Sequence, residues 1–243
     1  MKKADEYRLR LRGLTDWDAF LLAECGLPGP GGNLELVQAV ADEGDETLFR
    51  GYLAYDPGLA PTGSALEFLP ICGVVGLGRL LAEGRADLLP MIRKQASDPR
   101  WRMREGVAMA LQRLGDRDMD GLLEAVGPWC SGNALEQKAA AAALCEPRLL
   151  GKPAHARQVL KILDQITEMV EAREDRRSDE FVALRKGLSY CWSVVVAALP
   201  EEGKPAMEKW LTSEDQEIRR IMRENLKKNR LARMDRAWVD KCL

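Results

Sequence analysis

Apolar residues recur at helical spacing along almost the whole chain, and nowhere more plainly than between Ser97 and Gly115. There Met103, Val107, Ala110, Leu111 and Leu114 form one stripe, with Arg100, Arg102, Arg104 and Arg113 off it. Asp98 is placed to accept from the free amides of a first helical turn, and Pro99 follows at the first helical position. Gly115 stands where a left-handed residue would stop the helix.

The same pattern predicts further helices on both sides. Met1 to Arg12 reads as a charged arm or short helix, and Trp17 to Cys25 as a helix ended by the glycine- and proline-rich run 26–32. Asn33 caps a helix with Leu36, Val37 and Val40 apolar, and 46–55 forms another, closed by Asp56-Pro57-Gly58. Helices follow over 64–82, 86–96, 119–130, 134–145, 155–172, 180–199, 205–211 and 214–228, with a short last one around Trp238. No segment alternates with period two, and Val194-Val195-Val196 lies inside a helical pattern. The fold class expected is all-α.

The helices repeat. Ser97, Ser131 and Ser178 each precede a basic residue by seven positions (Arg104, Lys138, Arg185), and Ser213 precedes Arg219 by six. The four cations are spaced 34, 47 and 34 residues apart, the longer interval holding the extra length of the helix around Ile162. Each unit reads as an outer helix, a serine-led turn and an inner helix with a cation near its start. Met103-Arg104, Ala108-x-Ala110-Leu111 and Leu114-Gly115 resemble the HEAT-repeat (armadillo-like) pattern, and Ile218-Arg219 matches its middle. The resemblance implies a right-handed α-α superhelix, a solenoid of about six helix pairs in which each pair covers the apolar flank of the next. One domain is expected over 1–243, with divergent repeats at 13–83, clearer repeats at 84–230 and a capping helix at 231–243.

Charge refines this picture. The 243 residues carry a net charge of −2, which does not suggest a protein coated in basic charge. Locally the two ends differ. From Gly13 to Ala60 only Arg50 opposes nine acids, whereas from Arg219 to Arg236 eight basic residues face only Glu224 and Asp235. The six cysteines never approach a C-x-x-C spacing, and with His155 the one histidine there is no constellation for zinc. The longest apolar runs, such as Val194 to Leu199, are too short to cross a bilayer, and no apolar h-region follows Met1-Lys2-Lys3. A cytoplasmic protein without membrane contact, metal or small-molecule cofactor is expected.

The cations Arg104, Lys138, Arg185 and Arg219 could line a groove and meet an anionic partner, or bridge to the turn carboxylates Asp98, Asp179 and Asp215. Trp101, about 130° around the helix from the stripe and flanked by Arg100 and Arg102, could stack on a partner or cover the seam between repeats. Trp129, Trp192 and Trp210 lie among apolar residues and read as core. The run 28–33 places glycines before a helix start, but without a following lysine or preceding strand it reads as a stiff loop. Arg219 to Arg236, a run that includes Arg223, could grip phosphates or be a solvated capping pair.

No nucleophile–histidine arrangement is visible. The function expected is a non-enzymatic scaffold that binds a macromolecular partner, a protein, along its inner helices, with Trp101, Arg100, Arg104, Lys138, Arg185, Arg219 and Arg223 as the binding residues. The run Asp98 to Arg104, the six-pair count and the length also resemble the HEAT-like bacterial alkylpurine DNA glycosylases. That resemblance implies a DNA-binding protein of alkylation repair, with Trp101 and Arg104 nearest the family's pattern and no carboxylate assignable.

Overall fold

The computed structural model describes residues 3–243; Met1 and Lys2 lie outside the described residues. All regular structure among them is helical, so the all-α class read from the sequence holds. The chain divides into two compact units, Met1–Arg117 and Asp118–Leu243.

The first unit contains α1 (Lys3–Arg12), α2 (Asp18–Glu24), α3 (Leu34–Glu43), α4 (Glu46–Leu53), α5 (Phe68–Ala82), α6 (Leu89–Gln95) and α7 (Trp101–Arg117). Asn33 and Asp45 cap α3 and α4 by accepting from Leu36 N and Leu48 N, as short polar side chains do at helix starts. The central helix is α5, which packs against α3, α4 and α7. Small residues allow this. A Cβ added at Gly76 would lie 2.3 Å from the Phe49 ring, and one at Gly78 would lie 2.4 Å from the Cα of Ala110 in α7. The first helix is no arm: Leu11 is fully buried, and Arg8 and Arg12 fix α1 to α3 through Glu43. Arg12 donates to both Glu43 carboxylate oxygens at 2.7 and 2.8 Å, and Arg8 donates at 2.9 Å. Held first by Arg12 and then by Arg8, the Glu43 carboxyl drops from an ordinary 4.5 to about 2.

The second unit contains α8 (Met119–Val126), α9 (Ala134–Leu144), α10 (Pro153–Glu171), α11 (Asp179–Ala198), α12 (Pro200–Leu211), α13 (Gln216–Leu226), α14 (Asn229–Met234) and α15 (Arg236–Cys242). Here α11 is central, flanked by α9 and α13 and backed by α10 and α12. The alanine-rich α9 lies against it, with Ala139, Ala140, Ala141 and Ala143 fully buried. Trp129, Trp192 and Trp210 are core, as their apolar surroundings predict. Trp192 Nε1 donates to Thr167 Oγ1 at 3.1 Å and Trp210 Nε1 to Asp164 Oδ1 at 2.6 Å, so neither indole N–H is left dry. The buried amide of Asn225 joins α13 to α11. Its Nδ2 donates to the carbonyls of Leu188 and Ile221, and its Oδ1 accepts from Ser193 N, each at 2.8 Å.

In each unit an inner row (α3, α5, α7 or α9, α11, α13) is thus stacked flank to flank, with connecting helices behind it. Several expected boundaries move. The helix after Asp98 begins at Trp101, because Pro99 and Arg100 stay in a turn closed by Asp98 Oδ1 accepting from Arg100 N at 2.8 Å. Gly115 does not end it. The helix runs on to Arg117, and among the described residues positive φ occurs only at Gly26, Gly63 and Gly84. The segment expected as one helix over 119–130 leaves the α-helix after Val126, since Pro128 has no N–H to continue the ladder, and finishes as a 3-10 turn over Gly127–Ser131. The helix expected from Pro205 starts at Pro200, at its first position, with Pro205 inside. The expectation that no stretch is long and apolar enough to cross a membrane is also corrected: Ala65–Ala82 and Asp179–Ala198 are. They contain the two central helices, 72% and 50% buried inside the protein, where burial against neighbours accounts for their composition.

Three measurements test this packing. Gly78→Ala forces a methyl into the α5–α7 contact and is expected to lower unfolding free energy by about 1–3 kcal/mol in urea titrations. Asn225→Ala removes the two buried hydrogen bonds that tie α13 to α11 at Ser193 N–H and Leu188 C=O, and is expected to cost about 1–3 kcal/mol in the same titration. The depressed Glu43 carboxyl contributes stability that is complete above its unfolded value of about 4.5 and lost as pH falls towards about 2. Unfolding free energy followed from pH 6 to 2 should therefore fall less steeply over that window in Glu43→Gln than in the wild-type protein, as expected from the linkage of protonation to folding.

Candidate binding surface

The predicted site residues divide between the units. In the first, Arg100 is no surface group. It is buried, chelates the Asp98 carboxylate through Nε (2.9 Å) and Nη2 (2.7 Å), and donates from Nη1 to the carbonyls of Tyr55 and Ala60. A planar fork with five donors is the side chain suited to satisfying a carboxylate and two loop carbonyls at once. Asp98 therefore has both oxygens engaged and is itself buried. Arg104 turns back on its own helix start and donates to the carbonyls of Asp98 (2.7 Å) and Pro99 (2.9 Å).

Trp101 remains 45% exposed at the start of α7. The guanidinium of Arg102 lies 4.4 Å from its ring centroid. Arg102 is held in turn by the carbonyl of Gly29 (2.7 Å) and by the fully buried Glu67 (3.2 Å). The glycine-rich loop over 26–32 is thus clamped from α7, while the helix start behind it is capped by Asn33. An open groove of about 540 Å³ lies elsewhere in this unit, lined by Gln38, Arg79, Glu83 and Arg113 among others. Two of its arginines are committed: Arg79 donates to Gly44 O and Glu83, and Arg113 to Asp42 and Gln38.

In the second unit the ladder cations lie between helices. Lys138 is buried, and a Cβ at Gly187 would come within 3.2 Å of its Cγ, so its stem follows the α9–α11 seam. Arg185 crosses the α11–α13 seam to Glu217 at 2.9 Å. Arg219 donates to the carbonyl of Ser213, six residues back, just as Arg104 does to Asp98. The bridges expected to Asp98 and Asp215 are made by other arginines, Arg100 and Arg176. The reason is reach. An arginine one turn into a helix meets the carbonyls of its own turn before it meets a carboxylate of the next repeat.

Arg223 is different. Residues 218, 221, 222, 225 and 226 are buried, so at about 100° per residue Gln216, Arg220, Arg223 and Lys227 occupy the opposite, exposed side of α13. On α11 the corresponding exposed side carries Lys186 and Tyr190. Lys186, Arg220 and Arg223 make no ion pair among the described residues. Lys227 pairs with Glu224 at 2.6 Å. Arg230, at the start of α14, stacks on Tyr190 with 4.5 Å to the ring centroid and donates to its hydroxyl. Arg223 was singled out only as a member of the basic run 219–236; Lys186 and Tyr190 were missed, because the repeat offset selects the seam cation Arg185 rather than its neighbour. What the stripe can do is recognise negative charge beside one aromatic ring. No group of three or more His, Cys, Asp or Glu side chains among the described residues is placed to hold a metal ion.

No protein-family model matches the chain. No curated protein matches it. Among solved structures it is similar to an engineered protein, at 15% identity and a TM-score of 0.39 over 96% of this chain and 98% of that one. It is also similar to a designed armadillo repeat protein, at 13% identity and a TM-score of 0.32 over 85% of this chain and 98% of that one.

Proposed function

We propose that the protein is a non-enzymatic helical-repeat scaffold that holds a protein partner along its inner helices, with the exposed stripe of α11 and α13 as the contact surface. The observation that carries this reading is the contrast among cations. Arg185 and Arg219 are engaged within the protein and Lys138 is buried, whereas Lys186, Arg220 and Arg223 are exposed without an ion pair. Exposed cations without a partner keep their full attraction for an incoming anion. The six cysteines are free and five are buried, which suits a reducing compartment such as the cytoplasm. The DNA-glycosylase reading gains no support from the site. Asp98, the carboxylate closest to its motif, is buried and chelated by Arg100.

The test is recovery of partners by the full chain, cross-linked in cells, against the double variant R220E/R223E. Both substituted positions are exposed, so the variant is expected to fold, which circular dichroism checks. A partner set recovered by the wild-type protein and lost by the variant is expected. Identical recovery by both proteins would overturn the assignment of this surface.

A further inference from the structure

The exposed stripe of the second unit has a definite length, charge and rim. Arg220, Arg223 and Lys227 follow one another on α13 over seven residues, about 10 Å at 1.5 Å per residue. Lys186 and Tyr190 stand one turn apart on the adjacent face of α11. The Arg185–Glu217 bridge closes the seam between the two helices. Acids bound the stripe. Glu217 and Glu224 both lie on its α11 side, and Asp179, Glu180 and Glu214 are exposed at the starts of the helices. The positive charge of the stripe is therefore interrupted by acids on its α11 side.

We infer that this strip takes a short, extended, acidic segment of a partner protein, with carboxylates on Arg220, Arg223 and Lys186 and an apolar or aromatic side chain against Tyr190; the inference rests on the scaffold reading above. Length is the first argument. About 10 Å spans three or four residues of extended chain at about 3.3 Å each. A nucleic-acid backbone instead draws its affinity from many phosphate contacts, about 6–10 in strongly salt-dependent binders, and the rimming carboxylates would oppose a longer polyanion.

Donor chemistry is the second argument. Arg220 and Arg223 have guanidinium forks without an ion-pair partner, the geometry that takes a carboxylate by two parallel hydrogen bonds. Tyr190, steadied by Arg230 and 43% exposed, supplies an apolar body beside them. A second copy of this chain is the poorer occupant, because its densest acidic run is already spent. Asp42 is taken by Arg113, Glu43 by Arg8 and Arg12, and Glu46 by Arg50 and Arg85, while Asp45 caps α4.

The experiment is fluorescence anisotropy on the full chain with a labelled short peptide of consecutive Glu and Asp residues followed by Phe. The controls are its Gln/Asn counterpart and single-stranded oligothymidine. Binding of the acidic peptide is expected to weaken about tenfold in R220E/R223E, the sum expected of two exposed charge contacts, and to weaken with added salt. Tyr190→Ala is expected to reduce binding at every salt concentration, a readout that charge alone would not move. Equal binding of the neutral peptide, tighter binding of oligothymidine, or self-association that R220E/R223E abolishes would each overturn the inference. Partner recovery lost in R220E/R223E without any acidic-peptide binding would overturn the peptide assignment and leave the scaffold reading standing.

Discussion

An inner helix in this protein is covered on both flanks and at its back, and that coverage decides what it has left to offer. α5 meets α3 and α7 at its sides and α4 behind; α11 meets α9 and α13 at its sides and α10 and α12 behind. Such coverage requires close approach, and close approach requires small side chains: Gly76 and Gly78 on α5, and the alanines of α9. Most of the burial that offsets chain entropy is made here. The same crowding restricts solvent contact to one narrow side of α11 and α13, where polar residues can vary without touching the core.

Arginine fastens what apolar contact leaves loose. Arg8 and Arg12 hold α1 to α3, Arg100 pins the loop carbonyls of Tyr55 and Ala60, and Arg102 ties the glycine-rich loop to α7. Arg104 and Arg219 return to carbonyls at the starts of their own helices. Lysine has no planar fork with which to do this. Much of the basic charge in the composition is therefore structural, and the surface proposed for a partner is made of cations that are not.

The helices were legible in the sequence because each buries one stripe: Met103, Val107, Ala110 and Leu111 of α7 are buried, as are Val159, Leu163, Ile166 and Val170 of α10, while Leu114 is half-buried. The three core tryptophans were legible for the same reason. What periodicity could not supply was the competition for hydrogen bonds at helix ends. Asp98 and Pro99 look like a helix start until Arg100 claims the carboxylate, and Gly115 looks like a stop until the helix runs past it in right-handed geometry. The candidate site was half legible. The repeat marked Lys138, Arg185 and Arg219, and the structure puts all three to work inside the protein or on its seams; Arg223, marked only by the basic run, stands clear. Lys186 and Tyr190 carry no motif, and share an exposed side with Arg223 only because α11 and α13 pack against each other.

Asn225 carries a consequence for that surface although it never reaches it. Two directional bonds to α11 from one planar group, whose amide nitrogen is also tied to Ile221 C=O of its own helix, tolerate almost no sliding, so α13 cannot creep along α11 without forfeiting them. The distance from Lys186 to Arg223 is thereby gauged from within, by an uncharged amide on the opposite side of the helix. A drift of one helical step would leave the composition of the outer face untouched and ruin its metre.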